Sequence, residues 1–558
     1  MTAIRLNIML FSHICSDTHI TGAEKLLLFF ATELRGSHDC TLVVPSEGLL
    51  AAEARARGIS TIVISYPNFY EVYAPGPYFR QELEGFIRDN GDAVQSLLTL
   101  MLERRPDLAI VNTCVNLMPA WISRSLGIPV GWMMTEQIQS NRYTSYSTEI
   151  INAYSDWIIG ISHASLQPFR GTPGEKKIRI LYPSWNDHEL ERELWPVYRS
   201  VKREEIGWND SHRVIGYVSS DIYPNKGLEH FIQMAIDLGA AYPDLRFMVA
   251  GKMTDVGYYA KCLEQIRLSG LLGRFYFQSF EMQVQQIYPA MDILVIPSLI
   301  EEGFGMTALE GLIFSKMVVT YNSGGLGEIM TLTGNGSYLV EKGSIRGLVD
   351  TVGSLLVKGA FIQSWGARNS IAVEKAFGID SYRLRLGDWL QEAAGTLPAL
   401  GPRPLPQEAL LQKPALLLKG SAPAVYLLEY GCRYLFSEES VFRAKGFRFD
   451  EVLTLDDGYM GRIPMGGVLG TGQPLLGRRT ARRGGLKAKA GSRRFRGRRR
   501  TLKTWKGKGQ RLLARKKRSA PPKGKRVSPK AAGRKGRSAA VSRRSNGYGK
   551  RRKIKKSG

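Results

Sequence analysis

Two carboxylates flanking a glycine-bent run stand out, in Pro297-Ser298-Leu299-Ile300-Glu301-Glu302-Gly303-Phe304-Gly305-Met306-Thr307-Ala308-Leu309-Glu310. The string follows a short apolar run and leads into a helical pattern. Gly303 and Gly305 let the backbone turn tightly and approach a ligand. The amides of Phe304, Gly305, Met306 and Thr307 then point at an anion, helped by the positive end of the helix dipole. Glu302 in the loop and Glu310 about one turn into the helix are poor partners for phosphate but good acceptors for sugar hydroxyls. A ligand that holds both a diphosphate and sugars satisfies the whole string, and a nucleotide sugar is such a ligand.

A cation is expected beside such a ligand. Lys226-Gly227 lies in a loop between a strand pattern and a helix pattern, where a lysine can neutralise the donor phosphates and the charge of a leaving diphosphate. Trp132-Met133-Met134-Thr135-Glu136 ends another strand pattern. Glu136 there can accept a hydroxyl proton or bind the acceptor, or serve as an ordinary loop residue. Ser323-Gly324-Gly325-Leu326-Gly327-Glu328 forms a further tight strand-to-helix turn, with Glu328 placed to cap the helix or to touch ligand. The histidines at 13, 19, 38, 163, 188, 212 and 230 show no metal-ligand spacing, and Asp456-Asp457 reads as a turn, so no metal is expected.

These residues need elements to hold them. Over 1–380, short β-branched runs alternate with longer amphipathic stretches. The expected strands of the first half are 6–11, 41–44, 61–64, 108–111, 129–133, 157–160 and 178–181, with helices at 23–34, 49–57 and 116–126. The second half repeats the scheme, with strands at 214–218, 246–250, 275–278, 293–296 and 318–321 and helices near 228–238, 258–268, 306–314 and 345–357. Strict β/α alternation implies parallel sheets covered on both faces. The fold class is therefore α/β, with two Rossmann-like doubly wound domains at 1–195 and 196–395 and a break near 185–205. Ligands are expected in the cleft between them, beyond the carboxyl ends of the strands. A helix near 379–393 closes this body, and a Pro-rich linker occupies 396–414. A small β-rich module is expected over 415–470, with a hairpin formed by 425–431 and 433–436 and a helix at 437–444.

The motifs resemble those of glycosyltransferase family 4 (group 1), retaining enzymes of the two-domain GT-B fold, over roughly residues 5–390. The family signature, a glutamate followed after seven residues by a second glutamate, matches Glu302 to Glu310. The resemblance implies that Glu302 contacts the transferred sugar and Glu310 the ribose of the donor. It implies that Gly22, in Thr21-Gly22-Ala23-Glu24, lends its amide to the donor diphosphate or the acceptor, although Thr21 replaces the usual first glycine; helix capping is the competing reading. Ser162 resembles the serine of the family's domain hinge. Two departures stand out. Ser219-Ser220-Asp221 occupies the stretch where an arginine commonly precedes the lysine, and Thr135 stands where a histidine is common. The reaction implied retains anomeric configuration and needs no divalent metal. The alternatives are a catalytically decayed protein of the same fold, with its basic tail as the working part, and an epimerase or phosphorylase on the same scaffold. Residues 415–470, with Val425-Tyr426-Leu427 and Ile463-Pro464-Met465-Gly466, resemble a small β-rich repeat of bacterial surface and wall-associated proteins.

Charge is unevenly placed. From Arg478 onward the chain carries 35 Lys and Arg and no Asp or Glu, so the net +27 belongs to this tail while residues 1–477 are net −8. The tail, 478–558, is too poor in apolar residues to offset its chain entropy and is expected to be disordered. It is expected to bind a polyanion, whether an anionic membrane face, an acidic wall or coat polymer, or nucleic acid. Five scattered cysteines, a first segment that reads as a strand, and no apolar run of about 20 residues favour a cytoplasmic protein, peripheral on an anionic surface. The acceptor stays open, with glycan, lipid-linked and cell-envelope molecules as candidates.

Overall fold

A computed structural model describes residues 5–279, 283–359, 361–397 and 415–470. Most of the expected linker and all of the basic tail lie outside the described residues.

The β-branched runs of the first half become β1 (Asn7–Phe11), β2 (Asp39–Val44), β3 (Ser60–Val63), β4 (Leu108–Asn112), β5 (Val130–Met134), β6 (Trp157–Gly160) and β7 (Ile178–Ile180). They pair in parallel in the order β3-β2-β1-β4-β5-β6-β7. Helices α1 (Gly22–Leu34), α2 (Leu49–Ala56), α3 (Phe79–Asp89), α4 (Gly91–Arg104), α5 (Leu117–Ser125) and α6 (Thr144–Tyr154) connect them. β4 and β5 are buried along their whole length, as central parallel strands must be.

The stretch 185–205, expected as a break, ends in a helix, α7 (Trp195–Glu205). Its Arg203 is 2% exposed. Such a buried guanidinium needs partners for its donors. It finds the carbonyls of Ala290, Asn209 and His212 and the carboxylate of Asp292, so α7 is fixed to the second half. That half contains β8 (Arg213–Asp221), β9 (Leu245–Lys252), β10 (Phe275–Gln278), β11 (Ile293–Ile296), β12 (Met317–Tyr321) and β13 (Leu339–Val340), parallel in the order β10-β9-β8-β11-β12-β13. Around them lie α8 (Leu228–Ala241), α9 (Val256–Leu268), α10 (Met306–Ile313), α11 (Gly325–Leu332), α12 (Ile345–Leu356) and α13 (Phe361–Phe377). Two Rossmann-like lobes result, as expected.

The last helix of this body, α14 (Ile379–Thr396), does not stay with the second lobe. Tyr382, Leu386, Trp389 and Ala393 are buried in the first lobe's core with Leu10, Ile110, Met133, Trp157 and Ile159. Trp389 meets Trp157 edge-on at 6.1 Å, and Arg179 and Arg383 pair with Glu392 and Glu33.

The third sheet comprises β14 (Leu416–Lys419), β15 (Val425–Glu429), β16 (Cys432–Phe436), β17 (Val452–Thr454) and β18 (Met465–Leu469), in the order β17-β14-β15-β16-β18. The expected hairpin is β15–β16, antiparallel, followed by α15 (Glu439–Ala444). Asp456-Asp457 is not a plain turn: Asp456 caps α16 (Asp457–Arg462). This sheet also docks on the first lobe. Leu416, Leu418, Leu428, Met460 and Ile463 share a core with Leu97, Met101 and Trp121 of α4 and α5. Gly431 N–H donates to the Ser125 carbonyl at 2.8 Å, and Arg124 stacks on Tyr430. Among the described residues, no helix is long and apolar enough to cross a membrane.

Candidate functional site

β8 and β11 are neighbours in the second sheet, so the loops leaving their carboxyl ends lie side by side. Gly227 makes this possible. It has φ 76°, and a Cβ there would sit 2.0 Å from the Pro297 carbonyl oxygen, so only glycine lets the two loops close. Leu299 N–H donates to the Asn225 carbonyl at 2.8 Å and ties them further. The consequence is chemical. Lys226 Nζ reaches Glu302 Oε1 at 2.7 Å, and the Ser298 hydroxyl donates to the same oxygen at 2.7 Å. Both side chains of the ion pair remain partly open, 23% for Lys226 and 20% for Glu302.

Past Glu302 the chain bends through Gly303, Phe304 and Gly305 into α10. The first-turn amides at Met306 and Thr307 have no intrahelical carbonyl to reach. The Phe304 side chain is buried, 6.0 Å from the Tyr182 ring and 5.5 Å from Phe377, so its contribution to a ligand is through its backbone. Met306 likewise packs its side chain on the second-lobe core. Glu310, half-buried, accepts from the Tyr288 hydroxyl at 2.7 Å. Desolvation holds its carboxyl above the usual range, with Tyr288 and the Lys25 ammonium of the first lobe pulling the other way.

The first lobe faces this loop. Ser162 Oγ donates to the Gly303 carbonyl, and a Cβ on Gly303 would stand 2.9 Å from the Thr135 carbonyl oxygen. Glu136 is close by but is not a free acceptor: one oxygen takes the Cys114 N–H at 2.6 Å and the other the Thr135 hydroxyl at 2.5 Å. Its role in this state is to shape the loop beyond β4. Thr113 in that loop has φ 71°, a strained value for a β-branched residue. Gly22 opens α1 with an exposed Cα face. The residue before it, Thr21, is the helix cap: its N–H donates to Glu24 Oε2 at 2.7 Å, and its hydroxyl accepts from Glu24 N–H. The threonine that replaces the expected glycine therefore has a structural reason.

Glu328 makes no capping bond to its own helix. It crosses to the first lobe and accepts from the amides of His163 at 2.9 Å and Ala164 at 2.6 Å, with the Tyr182 hydroxyl at 3.3 Å. Charge-assisted bonds of this kind contribute about 1.5–3 kcal/mol each. Glu328→Ala should therefore loosen the lobes: small-angle scattering should show a larger radius of gyration, and the melting temperature should fall.

His13, just beyond β1, is a second titratable point. Burial alone pushes its imidazole down from 6.5 to about 4. The unfolded chain binds the proton in the window between these values and the folded chain does not. Stability should therefore rise with pH from about 4 to 6.5, by up to roughly 3 kcal/mol, and be lost as pH falls through that range. Denaturant titrations of wild type and His13→Gln check this; the variant's slope should be shallower, with the part due to His38, His212 and His230, which burial also holds down, remaining.

The structure thus joins Lys226 to Glu302, with Phe304–Thr307 and Glu310 following in the same loop and helix, and sets the backbone of Thr135 and Glu136 against Gly303; Gly22 opens α1 on the first lobe with no contact to this loop among the described residues. Sequence reasoning did not assign Ser298, although it stands inside the quoted string four residues before Glu302. It also missed Tyr288, which carries no motif.

Residues 212–358 match the family model for glycosyl transferases group 1, a span that includes Lys226, Glu302 and Glu310. The chain is 30% identical over 176 residues to an uncharacterised glycosyltransferase of Methanocaldococcus jannaschii, covering 30% of this chain and 46% of the relative. It is 23% identical over 191 residues to the lipopolysaccharide core biosynthesis mannosyltransferase LpsB of Rhizobium meliloti, covering 33% of this chain and 53% of that one. It spans about half the length of these curated relatives. Among solved structures, HepE of Anabaena in complex with UDP-glucose superposes with TM-score 0.56 at 19% identity, over 70% of this chain and 100% of that one. A glycosyltransferase from Rickettsia africae gives TM-score 0.58 at 15% identity, over 70% and 99%. The fold is that of GT-B glycosyltransferases, and the family match supports a group 1 glycosyltransferase.

Proposed function

We propose that the chain is a retaining glycosyltransferase that moves a sugar from a nucleotide-sugar donor to a glycan, lipid-linked or cell-envelope acceptor. The observation that carries this reading is the Lys226–Glu302 pair at the mouth of the loop that opens α10. In the free protein the two charges satisfy each other. A donor separates them productively: its sugar hydroxyls take over Glu302, and its diphosphate takes the released ammonium together with the amides at the head of α10. Glu310, held by Tyr288, receives the ribose hydroxyls. HepE, with the same fold, binds UDP-glucose, which supports a nucleotide-sugar donor here.

In the reaction the bond from the anomeric carbon to the diphosphate oxygen breaks, and its electron pair leaves with the diphosphate. The acceptor oxygen bonds to the anomeric carbon on the same face, and its proton passes to the leaving oxygen. Lys226 and the amides supply positive charge where negative charge develops, the task a divalent cation performs elsewhere. The first lobe, closing through Ser162 and Glu328, excludes the water that would hydrolyse the donor.

The test uses the full chain with UDP-, GDP- and ADP-sugars in the presence of EDTA. Donor hydrolysis or transfer is expected with one of them, lost in Glu302→Ala and Glu310→Ala, with the product anomer matching the donor by NMR. Absence of nucleotide-sugar binding would favour a decayed cleft instead. The basic residues from Arg478 onward add retention on an anionic envelope surface where the acceptor lies. A chain ending at 477 should lose cosedimentation with vesicles of anionic phospholipid, and unchanged partitioning overturns that part.

A further inference from the structure

The loops leaving β8 and β11 offer the diphosphate one ammonium, Lys226. Lys226 is matched by Glu302, and Ser219, Ser220 and Asp221 at the end of β8 bring no cation. Glu310 adds a further carboxylate. The diphosphate of a nucleotide sugar carries two negative charges, and a third develops on the leaving oxygen before it takes the acceptor proton. A second ammonium or guanidinium is called for by charge balance alone.

The first lobe holds one in the right place. Lys25 lies in the first turn of α1, where its N–H donates to the Thr21 carbonyl at 3.0 Å. That turn borders the seam between the lobes, because the next residue, Leu26, packs on the core in which Ile161 and Tyr182 of the first lobe meet Phe304, Ala308 and Leu326 of the second. The Ala23 carbonyl in the same turn accepts from Asn112 at 3.0 Å, which anchors the turn to the end of β4. The ammonium of Lys25 is near enough for its field to act on Glu310. The side chain is exposed, and among the described residues its ammonium makes no ion pair or hydrogen bond. Lys226, Glu302 and Glu310 each have a protein partner, whereas Lys25 is left over.

We infer that Lys25 is the second cation on the donor's diphosphate, delivered across the cleft from the opposite lobe. The inference rests on the reading of the cleft as a nucleotide-sugar site. It gives the first lobe a direct contact with the leaving group. Closure of the lobes and stabilisation of the diphosphate then become one event, and donor that enters an open cleft is not activated for hydrolysis.

The test is calorimetric binding to the full chain. UDP, GDP and ADP are compared first, and the tightest is carried forward with its nucleoside monophosphate. Lys25→Met should weaken the diphosphate about tenfold and the monophosphate less than about twofold, because the lost charge faces the outer phosphate. Lys25→Arg should restore most of the affinity. Lys25 is exposed, so both variants should melt with wild type. Equal diphosphate affinity in wild type and Lys25→Met overturns the role of Lys25 and leaves the site reading intact. A wild-type chain that binds none of the three diphosphates overturns both.

Discussion

Lys226→Ala should lower the rate of sugar transfer by about 10²–10³-fold, the scale on which removal of one pre-placed charge-stabilising group acts. The melting temperature should hardly move. Lys226 and Glu302 are each partly solvated, so the pair adds little to stability, and Ser298 remains to satisfy the freed carboxylate. A rate loss without a stability loss separates a chemical role from a scaffolding one. The double variant Lys226→Ala/Glu302→Gln should lose less than the two single losses multiplied together, because each residue needs the other to be held in position. Single-turnover donor consumption measures these rates without product release. A transfer rate within threefold of wild type in Lys226→Ala would remove the cation from the mechanism.

Gly324→Ala should be as damaging by a different route. Gly324 has φ 58° and ψ −130°, a backbone region open in practice only to glycine. A Cβ there would sit 2.3 Å from the Glu302 carbonyl oxygen and 2.7 Å from the Glu302 amide nitrogen. Both contacts are backbone, so neither can swing aside. The bridge that joins Glu302 to Gly324 must open, and with it the 2.8 Å bond from Gly325 N–H to the Glu302 carbonyl. The expected cost is about 2–4 kcal/mol of stability. Transfer should fall at least about 100-fold, because the carboxylate leaves its position beside Lys226. Gly336→Ala is the control: a Cβ there meets nothing within 4 Å, and both melting temperature and rate should stay near wild type.

Much of the two-lobe frame was legible because burial on both faces of a parallel sheet forces continuous apolar runs, and those runs are unmistakable at 108–112 and 293–296. The loop that opens α10 was legible for a related reason: glycines and a helix start are local features. What stayed hidden depended on a distant partner. Lys226 and Glu302 were each assigned to the ligand, but nothing in a separation of 76 residues says that they bond to each other first. Glu328 reads as a cap because caps are local, yet its partners lie 164 and 165 residues away. The same holds for α14 and the third sheet. An amphipathic face announces that it will be covered without naming what covers it. Helices α3, α4, α6 and α13 were not anticipated, and Arg203 shows why α7 was missed: a basic residue that looks solvated is buried among carbonyls.

The return of α14 to the first lobe also sets an order of events during translation. The first sheet is finished at β7, but Trp389 and its neighbours, which close one of its faces, are made only after the whole second lobe. At about 5–20 residues per second, a nascent first lobe waits roughly 10–40 seconds with Phe29, Phe30 and Trp157 lacking their ring partners Tyr382 and Trp389. The third sheet, which covers the outer side of α4 and α5, emerges later still. A ribosome stalled before residue 379 would therefore present a sticky, half-clad intermediate, and chaperones should be found on it and not on chains released after 470.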